Sequence, residues 1–100
     1  MNAEQYLLGC LAEECAELAQ AASKAVRFGL DVRWPGKPTV NREDIAAEFN
    51  DVLGVLELME ESCARFPGLF DRGDVLAKKN KLMAMMKYSR ERGRLEKENV

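Results

Sequence analysis

Apolar residues along this chain recur at three- and four-residue intervals and never alternate in twos, a pattern that predicts helices and no strand. The first run covers residues 3–28 and closes at Gly29, a residue free to take the left-handed conformation that ends helices. Pro35, Gly36 and Pro38 then impose a loop on Leu30 to Val40. Asn41 is placed to cap a second helix, with Val40 and Ile45 at the N′ and N4 positions of a hydrophobic staple. That helix, about 42–65, must stop ahead of Pro67-Gly68, because the residue before a proline avoids the helical region. A third, about 73–90, begins between Asp71 and Asp74, reaches at least Tyr88 and is limited by Gly93. The expected class is all-α, built of long antiparallel helices in a bundle.

Three helices with these faces carry more apolar surface than they can hide from one another. Leu8, Ala12 and Val26 lie well away from the main stripe of the first helix, and Leu76, Met83 and Met86 do the same on the third. A homodimer or homotetramer would cover them and complete the bundle.

Within this pattern the acids stand in unusual places. Advancing about 100° per residue, Leu7, Cys10, Leu11, Leu18, Ala21 and Ala25 all fall within roughly 60° of Glu14. Glu14 therefore belongs to the apolar stripe, with Glu17 at its edge. The second helix repeats the arrangement: Ile45, Val52, Val55 and Met59 surround Glu48, and Asp51 takes the edge. Acids three apart share a helix face. Burying an unpaired carboxylate costs several kcal/mol or forces it to protonate, so four of them aimed at one core call for a hard cation, and Mg2+ suits carboxylates best. On the third helix Lys78 sits among Val75, Leu82 and Met85, with Lys81 a turn along. A buried acid–lysine network is the alternative, although four acids outnumber two lysines.

One hundred residues make a single domain, and 47% hydrophobic with 32% charged is ordinary for a soluble globular chain. The formal net charge of −2 gives no preference for a nucleic-acid polymer. Arg90, Arg92, Arg94 and Lys97 crowd a tail from Ser89 to Val100 that reads as a solvated helix end; Arg90 or Arg92 closing over a phosphate is the other reading. No apolar run approaches the roughly 18 residues of a membrane span, and the N-terminus lacks the basic-then-apolar pattern of a leader, so a cytoplasmic protein is expected. Cys10, Cys15 and Cys63 form no Cys-x-x-Cys and are expected to be reduced thiols. With no histidine in the chain, mixed cysteine–histidine zinc sites, Glu-x-x-His di-iron sites and histidine-based triads are excluded. Any general base is then a carboxylate or a metal-activated water.

Glu-Glu-x-x-Glu (Glu13, Glu14, Glu17) followed by Glu-x-x-Asp (Glu48, Asp51) on two long helices resembles the MazG-like branch of the all-α nucleoside triphosphate pyrophosphohydrolases, related to the dimeric dUTPases. The resemblance extends over the stretch Ala22 to Gly29 and the Lys78/Lys81 helix ending in Tyr88-Ser89-Arg90. It implies an oligomeric helical bundle in which Mg2+, with Mn2+ as a substitute, binds a triphosphate. Water then attacks the α-phosphorus, releasing a nucleoside monophosphate and pyrophosphate. Glu14, Glu17, Glu48 and Asp51 match the metal ligands; Glu13 matches the leading acid, which would reach a second ion, order a ligand or face water.

Two ions about 4 Å apart would both polarise a phosphoryl group and activate a water. Glu14, the acid most enclosed by apolar neighbours, is the candidate for assisting that water's deprotonation. Lys78 and Lys81 would neutralise the β- and γ-phosphates, with Lys24 and then Arg27 as further candidates. Trp34 would either stack on a base or pin its loop to the helices, and Tyr88 carries the same ambiguity. Asn50 and Asn80 could read a base edge or bond locally. Two other classes stay open: a non-catalytic oligomerisation or partner-binding module, and a regulator that holds metal and nucleotide without hydrolysis.

Overall fold

Asn2 starts the first helix by exchanging hydrogen bonds with Gln5: its Oδ1 accepts the Gln5 N–H at 2.8 Å, and Gln5 Oε1 accepts the Asn2 N–H at 3.0 Å. In the computed structural model, which describes residues 1–97, this opens α1 (Ala3–Phe28); α2 (Asn41–Ser62) and α3 (Arg72–Glu91) follow, and no strand forms among the described residues. The chain divides into two compact units, Met1–Arg65 and Phe66–Val100. None of its described helices is long and apolar enough to cross a membrane.

In the first unit α1 and α2 pack together as a hairpin. Ala21, Val52 and Met59 are buried, Met59 completely. Leu7, Cys10, Leu11, Leu18 and Ala25 on α1 are half-buried, as are Ile45 and Val55 on α2. These are the stripes read from the 3.6-residue period, and they meet face to face.

The link between the helices departs from expectation at both ends. Gly29 closes α1 with its N–H on the Ala25 carbonyl, but at φ 95 and ψ 156 it is in an extended positive-φ region open essentially to glycine alone, rather than in the left-handed helical one. Asn41 is not the cap of α2. Val40 occupies that position with extended φ and ψ, Glu43 Oε1 accepts the Val40 N–H at 3.0 Å, and valine has no side-chain acceptor to return. The staple register therefore shifts by one, leaving Thr39 at N′. Asn41 is instead the first helical residue, 5% exposed, and its Nδ2 donates to the Gly29 carbonyl at 2.8 Å. The Asn41 amide is buried against the end of α1, where the Gly29 carbonyl is the acceptor within reach, so it bonds there rather than capping α2.

The loop is pinned along its length. Backbone N–H groups of Asn41 and Arg42 reach the Val32 and Leu30 carbonyls at 3.0 and 2.8 Å, and Arg33 and Val40 form an isolated bridge. Arg42 grips Asp31 through Nε at 2.9 Å and Nη2 at 3.0 Å. Trp34 packs edge-on against Phe28, ring centroids 5.7 Å apart. At its other end α2 stops at Ser62, three residues short of expectation, because the N–H groups of Cys63 and Ala64 both turn back onto the Met59 carbonyl.

In the second unit Gly68 and Phe70 take positive φ values of 87 and 64, and Asp71 Oδ1 caps α3 by accepting the Asp74 N–H at 2.9 Å. No residue of α3 is buried, and Val75, Leu76, Leu82, Met83, Met85 and Met86 are all exposed. Leu8 on α1 is exposed as well, and Val26 is 87% so. The tail does not continue the helix: Gly93 at φ 71 ends it, Arg90 Nε donates to the Glu96 carbonyl, and the Arg92 guanidinium lies 4.9 Å from the Tyr88 ring centre. Residues 98–100 of that tail lie outside the described residues.

Asn41→Ala should lower unfolding free energy by about 0.5–1.5 kcal/mol, the net worth of the hydrogen bond that the buried amide makes. Asp31→Asn, which weakens an exposed pair, should change it by less. Urea unfolding followed by circular dichroism separates the two.

Candidate metal centre

The α1–α2 hairpin brings Glu14 and Glu17 against Glu48 and Asp51, each offering one carboxylate oxygen, all within 4.8 Å of one another. Glu14 and Glu48, from the middle of the apolar stripes, are half-buried, while Glu17 and Asp51, from the edges, are exposed. Oε2 of Glu14 and Oε2 of Glu48 are buried and have no hydrogen-bond partner. Nor does any lysine or arginine of the hairpin pair with the four acids: its ion pairs are Lys37–Asp44 and Arg42–Asp31.

Such a cluster resists full ionisation. Burial raises the pKa of Glu14 above its ordinary 4.5, and the neighbouring Glu17 carboxyl, through its charge and its closeness, and the charges of Asp51 and Glu48 push the same way. Glu48 is also raised, first by burial, then by its contact with Glu17 and by Asp51. The four acids could hold a metal ion; an octahedral shell with opposite ligands about 4 Å apart would need their oxygens, now within 4.8 Å of one another, to draw in slightly. A bound cation would also supply what the two buried oxygens lack.

Beside the acids lies a polar pocket of about 260 Å³. Glu17 and Glu48 form the wall on the side of the acids; Gln20, Ala21 and Lys24 from α1, Lys37 from the loop, and Asn41 and Asp44 from α2 form the rest. Asp44 holds the loop to the pocket, accepting from Thr39 Oγ1 at 2.6 Å and from Lys37 Nζ at 3.3 Å. These donors keep its carboxyl below the ordinary 3.8, Thr39 most of all.

The remaining candidates are dispersed. Glu13 is exposed, outside the four-acid cluster, and lines another cavity with Gln5, Tyr6 and Cys10; its helical angle of about 100° from Glu14 turns it away. Trp34, half exposed, is engaged with Phe28 and with the Lys24 ammonium 5.8 Å above its ring, and borders a separate apolar cavity of about 270 Å³. Arg27 lies over the Phe28 ring, and Asn50 is exposed. Lys78, Lys81, Asn80 and Tyr88 belong to the second unit. There Lys78 and Asn80 are exposed, while Lys81 and Tyr88 line a cavity of about 320 Å³ with Ala84, Met85 and Ser89.

Lys37, Asp44 and Gln20 escaped sequence reasoning. Asp44 stands one turn before Glu48 and Gln20 one turn after Glu17, so extending each acidic face by a turn would have found them. No family model matches the chain, and no curated protein or solved structure matches it.

Because Glu14 and Glu48 have raised pKa values in the folded state, the native protein holds more protons than the unfolded chain between pH 4.5 and those values. Stability of the metal-free protein must then fall as pH rises through that window. Asp31 and Asp44, with lowered values, act below their ordinary 3.8, outside the window. Melting in EDTA should accordingly give a higher Tm near pH 5 than at pH 7, flattened in Glu48→Gln. Added Mg2+ should raise Tm at pH 7 and less so at pH 5, where protons compete for the same oxygens.

Proposed function

We propose that the chain is a Mg2+-dependent nucleoside triphosphate pyrophosphohydrolase of the MazG-like kind, cytoplasmic and completed as a bundle by homo-oligomerisation, cleaving (d)NTPs to (d)NMP and pyrophosphate. The observation that carries the reading is the pair of buried carboxylate oxygens, Oε2 of Glu14 and Oε2 of Glu48, that stand within the four-acid cluster without a hydrogen-bond partner. No hydrogen bond reaches these two oxygens and the charge of Lys37 offsets Glu48 only in part, so a ligand is the physical remedy. A purely structural network would have paired them.

Glu14, Glu17, Glu48 and Asp51 hold the cation. Bound Mg2+ or Mn2+ supplies neutralisation of phosphate charge and acidification of water. Glu14, whose enclosure raises its proton affinity, accepts the proton of the attacking water. Exposed Glu17 and Asp51 keep the rim of the cluster open, so a triphosphate can complete the coordination that four carboxylates alone would otherwise crowd. Lys78 and Lys81, exposed on α3, are the candidate donors for the β- and γ-phosphates, since an ammonium donates and never accepts.

A second reading follows from α3, whose large apolar residues Val75, Leu76, Leu82, Met83, Met85 and Met86, with Tyr88, are exposed: a non-catalytic oligomerisation module. It requires indifference to Mg2+. A panel of NTPs and dNTPs, with and without Mg2+, assayed chromatographically for monophosphate and pyrophosphate, decides between them. The expected result is Mg2+-dependent release of both in equal amounts. Glu48→Gln should lose more than the roughly 100-fold typical of a residue that merely supports a metal ligand, with helical content nearly unchanged. Retained turnover in that variant would remove Glu48 from the site.

A further inference from the structure

The pocket beside the acids is built differently from the cluster it adjoins. Glu17 and Glu48 belong to the cation; Asp44 is answered by Lys37 at 3.3 Å and by Thr39 at 2.6 Å. Lys24 makes no close ion pair in the hairpin, although its charge, after those of Thr39 and Lys37, also helps to hold the Asp44 carboxyl low. It is half-buried, and its ammonium is steadied over the Trp34 ring at 5.8 Å, a contact that fixes the direction of the side chain without using up its hydrogen bonds. Asn41 is half committed: only an NH2 can bond a carbonyl, so Nδ2 serves Gly29 and Oδ1 is the acceptor left over. Gln20 adds one further amide.

This inventory does not suit a polyphosphate. The lining holds three acids, Glu17, Asp44 and Glu48, against two lysines, and one of those lysines is already paired. It suits an uncharged group rich in hydrogen-bonding edges. At about 260 Å³ the pocket falls just below the roughly 300–1,000 Å³ of sites that enclose a whole small molecule, which fits a base rather than an entire nucleotide.

We propose that this pocket receives the nucleobase of the substrate, with Lys24 as the residue that determines specificity, selecting bases that carry a carbonyl oxygen. The assignment rests on the pyrophosphohydrolase reading and names its substrate class. An ammonium group donates and never accepts, so Lys24 needs an acceptor, and the strongest acceptor on a base is an exocyclic carbonyl. Guanine, thymine, uracil and cytosine each have one. Adenine alone among the common bases has none, and it leaves the desolvated ammonium facing a ring nitrogen or an amine. A site built around a polar partner discriminates strongly against an analogue that lacks it.

The test is kcat/KM for dGTP, dTTP, dUTP, dCTP and dATP with Mg2+, in the wild type, Lys24→Met and Lys24→Gln, each checked for fold by circular dichroism. In the wild type dATP should be at least tenfold poorer than the best carbonyl-bearing nucleotide. Lys24→Met should close that gap to within about threefold by losing efficiency on the carbonyl-bearing substrates, and Lys24→Gln, which keeps a donor, should restore part of it. Equal use of dATP by the wild type overturns the assignment, as does a Lys24→Met loss that is uniform over all five nucleotides, which would make Lys24 a phosphate ligand. If Lys24→Met does not fold, Lys24→Gln carries the test alone, and an unaltered nucleotide ranking in it overturns the proposal. Absence of turnover with every nucleotide overturns the pyrophosphohydrolase reading itself, and the base pocket with it.

Discussion

Four carboxylates gathered between two helices, with two of their oxygens buried and unpartnered, set the terms for the rest of the hairpin. Like charges at these distances push the helices apart and push protons on. Yet the acids stand where leucines would normally be, at the centre of the stripes that join α1 to α2. The apolar core must hold the helices together despite them, and it is thin: Ala21, Val52 and Met59 are its buried members. A cation reverses the sign of the central interaction, turning the weakest part of the interface into a cross-link.

The loop from Leu30 to Val40 supplies restraint that the core does not. The Asn41 amide, two backbone bonds to Val32 and Leu30, the Arg42–Asp31 fork and the Phe28–Trp34 contact all act at one end of the hairpin. They fix the register of α2 against α1. With the register fixed, Glu48 and Asp51 meet Glu14 and Glu17 rather than the residues a turn away. Exposed pairs such as Arg42–Asp31 contribute little each; the buried amide and the glycine conformation at Gly29, which another residue would adopt only with strain, carry more.

The helical periods and the acidic stripes were legible in the sequence because both depend on local geometry alone. A 3.6-residue period places Glu14 among Leu7, Cys10, Leu11 and Leu18 whatever the helix packs against, and the structure buries those residues to the degree the period implies. The ends of α2 were not legible, since they depend on partners distant in sequence. Asn41 has the composition of a cap, but a carbonyl twelve residues earlier takes its amide. The Met59 carbonyl collects two N–H groups and ends α2 ahead of the proline expected to do so. Lys37 joins the site through loop closure, which no periodicity reports. The surplus apolar surface was legible as a quantity, through Leu8, Val26, Leu76 and Met83, while what covers it is not written in either unit taken by itself.

Glu17 and Glu48 are shared between the cluster and the polar pocket, and this sharing couples the two electrostatically. Without a cation the pocket wall facing the acids is anionic and repels a phosphate chain. With a divalent ion seated, the two shared charges are neutralised from behind, and Asp44 alone remains against Lys24 and Lys37. On the proposed reading, the same ion that would relieve Glu14 and Glu48 would change the pocket from one that excludes an anionic nucleotide to one that admits it. Metal and nucleotide would then be thermodynamically linked, each raising the other's affinity by the same factor. Chemistry without histidine would follow from that arrangement: charge would be managed by an ion and carboxylates, and the side chains beyond them would be left to distinguish one nucleotide from another.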